Sequence, residues 1–108
     1  MNVIVKKVIL YYIEKYPDAK TALLVWYNEF LKKDFKTFQD IKQLYGSASI
    51  VANNRVVFNI KGNNYRLIVS LNFRQQAVYI IWFGTHSEYD KINVETISFD
   101  TRILNYKI

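Results

Sequence analysis

Two hydrophobic periods divide the chain at about Gly46. Asn2 to Lys6 alternate weakly between apolar and polar residues, which predicts a short first strand. Val8, Tyr11, Tyr12, Lys15 and Tyr16 then fall at helical spacing until Pro17-Asp18 interrupts them, as a helix stop and restart would. The spacing predicts a second helix over Asp18 to Lys33, because Ala22, Leu23, Trp26, Tyr27, Phe30 and Leu31 make the stripe of a helix laid on a sheet. Those aromatics read as core, not as a ligand site. Thr37 can cap a third, shorter helix over Phe38 to Tyr45, with Asp40 in its first turn and Gly46 as its stop.

From Ser47 the alternation is strand-like. Val56, Phe58 and Ile60 point one way, while Arg55, Val57, Asn59 and Lys61 point the other. Gly62-Asn63 suits a two-residue hairpin turn, since both residues tolerate positive φ. That turn sets Ile60 against Tyr65, Asn59 against Arg66, Phe58 against Leu67 and Arg55 against Ser70. One face of the hairpin is then apolar. The other gathers Arg55, Asn59, Lys61, Arg66 and Ser70 around Val57 and Ile68, so the basic groups are expected to converge. A slip of one residue would break both faces together. Asn72 to Gln76 turns the chain, and Ala77 to Phe83 returns as a strand apolar on both faces, hence a central one. Beyond Asp90 the pattern fades; Asn93 to Ile108 has room for a short helix and an edge strand, and the sequence does not decide. The expected fold is α+β: an antiparallel sheet of about four strands with two or three helices on one face.

The 108 residues, 51% of them hydrophobic, make one domain, 1–108, with a core large enough to need no staples. No apolar run is long enough to span a bilayer, and no signal peptide is read, so a cytoplasmic protein without a membrane partner is expected. The absence of cysteine excludes disulfides and thiolate chemistry. Of the net charge of +6, the part that matters is its placement: Ile41 to Ser87 contain Lys42, Arg55, Lys61, Arg66 and Arg74 and no carboxylate. Such a one-sided field is the footprint of a polyanion partner. The plainer alternative is a Lys-rich composition without a nucleic acid to meet.

That basic segment runs into Phe83-Gly84-Thr85-His86-Ser87-Glu88-Tyr89-Asp90-Lys91, which holds the only histidine. A histidine at the end of a rigid strand is held still yet wetted, which suits proton transfer by a residue type that titrates near neutrality. A zinc site would need more His or Cys ligands, so no metal and no cofactor are expected. Glu88 and Asp90 flank Tyr89, but carboxylates in a strand-end loop are more often solvated. The three glycines are not clustered into a phosphate-cradling loop. Ser87, His86 and Asp90 are sequence neighbours, which rarely have triad geometry.

Metal-free RNA cleavage fits what remains. The substrate's own 2′-hydroxyl attacks the adjacent phosphate, so the protein supplies only a base, an acid and positive charge. Arg66, with Arg55 or Lys61, suits the charge, His86 the acid, and Tyr89 the stacking of a base or the orienting of the phosphate. Lys61 would have to serve as base unless the substrate assists. The competing reading is a non-catalytic basic RNA-binding or protein-interaction module on the same face, in which His86 hydrogen-bonds, Arg66 pairs with Asn59 and Tyr89 packs.

Three segments resemble the HigB-type mRNA interferase toxins of bacterial toxin-antitoxin systems, within the RelE-like superfamily: Tyr16 to Ala19, Asn53 to Leu67, and Phe83 to Lys91. The likeness runs to about Ile92 and does not extend over Ser98 to Ile108, a tail expected to be an edge strand or part of an antitoxin contact. The resemblance implies a RelE-like fold whose helix-free sheet face holds an RNA site. It also implies ribosome-associated cleavage of mRNA, which the residues above would carry out without a metal, and neutralisation by a HigA-like helix-turn-helix antitoxin. Carried over by position, Arg66 is similar to the phosphate-binding arginine and His86 to the general acid. Lys61 and Tyr89 join them as catalytic candidates, with Arg55, Asn59 and Lys91 as RNA contacts.

Overall fold

The computed structural model describes residues 1–4 and 6–106. Its five-stranded sheet has the order β1-β5-β4-β3-β2, with β1 Asn2–Ile4, β2 Ser49–Val51, β3 Arg55–Ile60, β4 Tyr65–Asn72 and β5 Ala77–Thr85. The α+β fold is as expected, while the antiparallel sheet of about four strands is corrected in two ways. β1 pairs parallel to β5, a geometry that requires a long connection, here the helical layer and the rest of the sheet. A short edge strand, β2, is added by a tight connection in which Asn53 and Asn54 take φ of 64° and 60°. The Asn-Asn pair was the available signal for it. Val5, within the expected first strand, lies outside the described residues, as do Lys107 and Ile108 of the expected tail strand.

The helices follow from local chemistry. α1, Lys7–Lys15, ends before Pro17, and Pro17–Ala19 forms a 3-10 turn, so α2 starts at Lys20 and not at Asp18; it runs to Leu31. Proline fits the first turn, where its missing N–H leaves nothing unpaired. α2 buries Leu23, Trp26 and Phe30, while Leu31, expected in the same stripe, is exposed. α3, Phe38–Leu44, begins at a capping box: the Asp40 N–H donates to Thr37 Oγ1 at 3.2 Å and the Thr37 N–H to Asp40 Oδ2 at 3.3 Å.

One sheet face packs on these helices. Phe30 lies 4.9 Å from Trp26, 4.9 Å from Phe35 and 5.6 Å from Phe58, ring centre to ring centre. Each such fully buried ring contributes about 2 kcal/mol of apolar transfer free energy. The β3–β4 register is the expected one from Arg55↔Ser70 to Ile60↔Tyr65. The Asn64 N–H to Lys61 O bond, 3.2 Å, closes the turn, and positive φ falls on Lys61 and Gly62. Between β4 and β5 the register shifts at Ile68/Val69, leaving Ile81 unpaired. This bulge lets Val78, Ile80 and Phe83 all reach the core while Trp82 and Gly84 align with Ile68 and Arg66 on the other face.

Part of that second face is covered by the tail. Arg55 Nη1 donates to Val94 O at 2.8 Å and Asn53 Nδ2 to Glu95 O at 3.0 Å. The chain then passes to a 3-10 turn, Thr101–Asn105, which sinks Ile103 into the main core. Phe99 and Leu104, with Ser70, Tyr79, Ile81 and their neighbours, line an apolar cavity of about 420 Å³. No strand is formed by the tail among the described residues.

Candidate active site

The sequence-predicted residues fall in two groups. At the hairpin-turn end of the sheet, Arg66 on β4 pairs with Asn59 on β3 and Gly84 on β5. Directly after β5 the chain makes one helical turn, α4, His86–Tyr89. The His86 N–H donates to Asn64 O at 2.9 Å, which ties α4 to the β3–β4 turn. Lys61, Asn59, Arg66, His86 and Tyr89 thus belong to one corner, and exposed Lys91 follows α4 at its rim.

Arg55 does not join them. The register places it on the same face, but four residues before Asn59 along β3, about 13 Å at strand rise. Its guanidinium holds the tail through Val94. The expected convergence of all the basic groups is corrected accordingly: a shared face does not mean a shared place, because a strand separates its same-side residues by nearly 7 Å per step.

The Arg66 guanidinium is held by neutral acceptors. Nη1 donates to Asn63 O at 3.2 Å and Tyr65 O at 3.1 Å, and Nη2 to Asn63 Oδ1. Its Cζ stands 5.8 Å from the centre of the Tyr89 ring, a cation-π approach. No carboxylate pairs with Arg66, Lys61 or Lys91 among the described residues, so their charge is available to an anion. Orientation and free charge together are what phosphate recognition by arginine requires.

His86 is half-exposed, with Nε2 3.6 Å from Asp90 Oδ1 one turn on. The approach is of sequence neighbours, made possible because α4 brings residues four apart to one side. Ser87 adds no third member among the hydrogen bonds of the described residues. No group of three or more His, Cys, Asp or Glu side chains is placed to hold a metal ion among the described residues.

Trp82, Gly84, Glu88 and Tyr16 take parts in the corner that were not anticipated. Trp82 lies 6.3 Å from Tyr89, and its indole covers Gly84. A Cβ at position 84 would come 2.6 Å from Trp82 Cη2 and 2.7 Å from Cζ2, so glycine is what lets the indole lie flat there. Glu88 is exposed, yet its carboxylate is partnered. Its Oε1 accepts from the Thr85 N–H at 2.9 Å and from the Tyr16 hydroxyl at 2.7 Å, while the Glu88 N–H donates to Thr85 Oγ1 at 3.2 Å. Partial burial raises the Glu88 carboxyl, yet these bonds and Lys15 nearby outweigh it and hold it below the usual carboxylate range. Tyr16 is pushed well above the usual phenol range by burial first and by Glu88 second. The Thr85-x-x-Glu88 spacing is a capping-box signature, so this feature was legible.

The five-stranded sheet with helices packed on one face is consistent with a RelE-like fold. Residues 19–92 match the HigB toxin family, the RelE-like toxic component of a toxin-antitoxin system, and the chain belongs to that family. It is 34% identical over 92 residues to the mRNA interferase toxin HigB of Escherichia coli strain K12, covering 83% of this chain and 88% of that one. The mRNA interferase HigB of Shigella flexneri is similar to the same extent. That of Escherichia coli O6:H1 is 29% identical over 80 residues, 72% of this chain and 78% of its own.

Proposed function

We propose that the chain is the toxin of a type II toxin-antitoxin pair and cleaves mRNA on the ribosome, in the cytoplasm, without a metal. Family membership and relatives named as mRNA interferases support the reading. The observation that carries it in this chain is the uncompensated Arg66 guanidinium beside the Tyr89 ring, at the strand end from which His86 emerges.

In this reading Arg66 holds the scissile phosphate and its charge opposes that of the phosphorane. His86 gives its proton to the departing 5′-oxygen after the 2′-hydroxyl has attacked. Tyr89 stacks a nucleobase, and Trp82 extends the stacking surface. Lys61, held on the turn, is the candidate for assisting the 2′-hydroxyl, while Asn59 and Lys91 contact flanking RNA. Arg55 has a different part: it fixes the tail. A HigA-like helix-turn-helix protein is the antitoxin expected to neutralise the chain.

Expression of the chain alone should arrest growth, and co-expression of the adjacent antitoxin gene should restore it. Purified chain added to mRNA-programmed ribosomes should cut the message, in EDTA as without it. Harmless expression together with intact message would favour the non-catalytic module.

A further inference from the structure

A helix of four residues cannot orient itself, because it closes too few internal hydrogen bonds to offset its own nucleation. The placement of His86 and Tyr89 must come from links to the rest of the fold. Besides the ring contacts of Tyr89 with Trp82 and Arg66, two hydrogen bonds supply them among the described residues: His86 N–H to Asn64 O, and the Tyr16 hydroxyl to the Glu88 carboxylate.

The second link leads back to the core. Tyr16 closes α1 just before Pro17, and its ring meets Tyr65 and Phe83 edge-on, each at 5.7 Å. Those two rings stack on each other at 5.3 Å with planes 8° apart. The Tyr16 hydroxyl is therefore fixed by packing, and it donates to the oxygen of Glu88 that also caps α4.

We propose that Glu88, clamped by Tyr16, is a positioning residue that sets where His86 and Tyr89 stand relative to Arg66. The proposal rests on the nuclease reading only for what is being positioned. A cap alone would need Thr85 and Glu88; the bond from Tyr16, 72 residues away in the chain, is what connects the cap to the helical layer. The titration of both partners agrees, since the proton stays on the phenol and the charge on the carboxylate.

Tyr16→Phe keeps the ring and the capping box and removes only the hydroxyl. Glu88→Ala removes both bonds, and Glu88→Gln keeps an acceptor oxygen for each. The chain's one histidine gives a single set of imidazole proton resonances, so its surroundings can be read by NMR without an activity assay. Tyr16→Phe and Glu88→Ala should melt cooperatively, yet shift or broaden the imidazole resonances. On mRNA their kcat should fall about 10- to 100-fold with KM little changed, the usual effect of slight misplacement. Glu88→Gln should recover most of the loss. Imidazole resonances that stay where they are in Tyr16→Phe and Glu88→Ala would overturn the proposal, as would an undiminished kcat. Should Glu88→Ala fail to fold, Tyr16→Phe decides alone. If the parent cuts no RNA, the nuclease reading fails while the NMR comparison still judges the clamp.

Discussion

Gly84 shows how closely the corner is fitted at single residues. A methyl at this position would run into the Trp82 indole, so either the indole lifts or β5 shifts. Gly84→Ala is expected to cost about 1–3 kcal/mol in urea unfolding, as overpacking does, and to change the Trp82 fluorescence. Trp26, buried in the helical core, should report nothing. Arg66 and His86 should separate affinity from chemistry. Arg66→Ala should remove the proposed phosphate contact, lowering RNA affinity and flattening its log-log salt slope by about 0.7. His86→Gln retains hydrogen bonding but no acid. It should bind RNA nearly as well and cleave about 10²- to 10⁴-fold more slowly in single-turnover assays. A His86→Gln protein cutting at the parent's rate would reassign the acid.

Among the elements, α4 is capped by a carboxylate. The Glu88 carboxyl titrates lower in the folded chain than its ordinary value of 4.5. Its contribution to stability is therefore present above that ordinary value and is lost as pH falls through the lower folded one. The stability difference between parent and Glu88→Gln should narrow on acidification from about pH 7 to about pH 3, measured by denaturant titration at each pH. A difference that stays constant would mean the carboxylate's charge contributes nothing to the cap. Elements of this kind also mark what could be read in advance. The helical stripe of Trp26 and Phe30 and the β3–β4 register were legible because burial forces periodicity and a turn forces pairing. Arg66 and Asn59 could be brought together on that basis, whereas Gly84 reaches Arg66 only through the β5 register shift. The parallel pairing of β1, the β5 bulge and the reach of Tyr16 to Glu88 could not, since each joins segments with no local pattern in common. The tail was undecided for the same reason: its one fully buried residue in the 3-10 turn, Ile103, makes no repeat.

For the molecule as a whole, the order of assembly follows from the sheet. β2 to β5 form a meander of neighbours along the chain, whereas β1 docks on β5 by pairing Val3 with Val78. Closing so long a loop costs entropy before any contact is gained, so this pairing should come after the rate-limiting step. Val3→Ala is then expected to accelerate unfolding in stopped-flow experiments while leaving the refolding rate within about twofold. A comparable truncation within the hairpin, Val56→Ala, should instead slow refolding. Because β5 leads straight into His86, release of β1 would expose one side of the strand that carries the corner. The lifetime of the folded protein, more than its equilibrium stability, would then be governed by three residues at the other end of the chain.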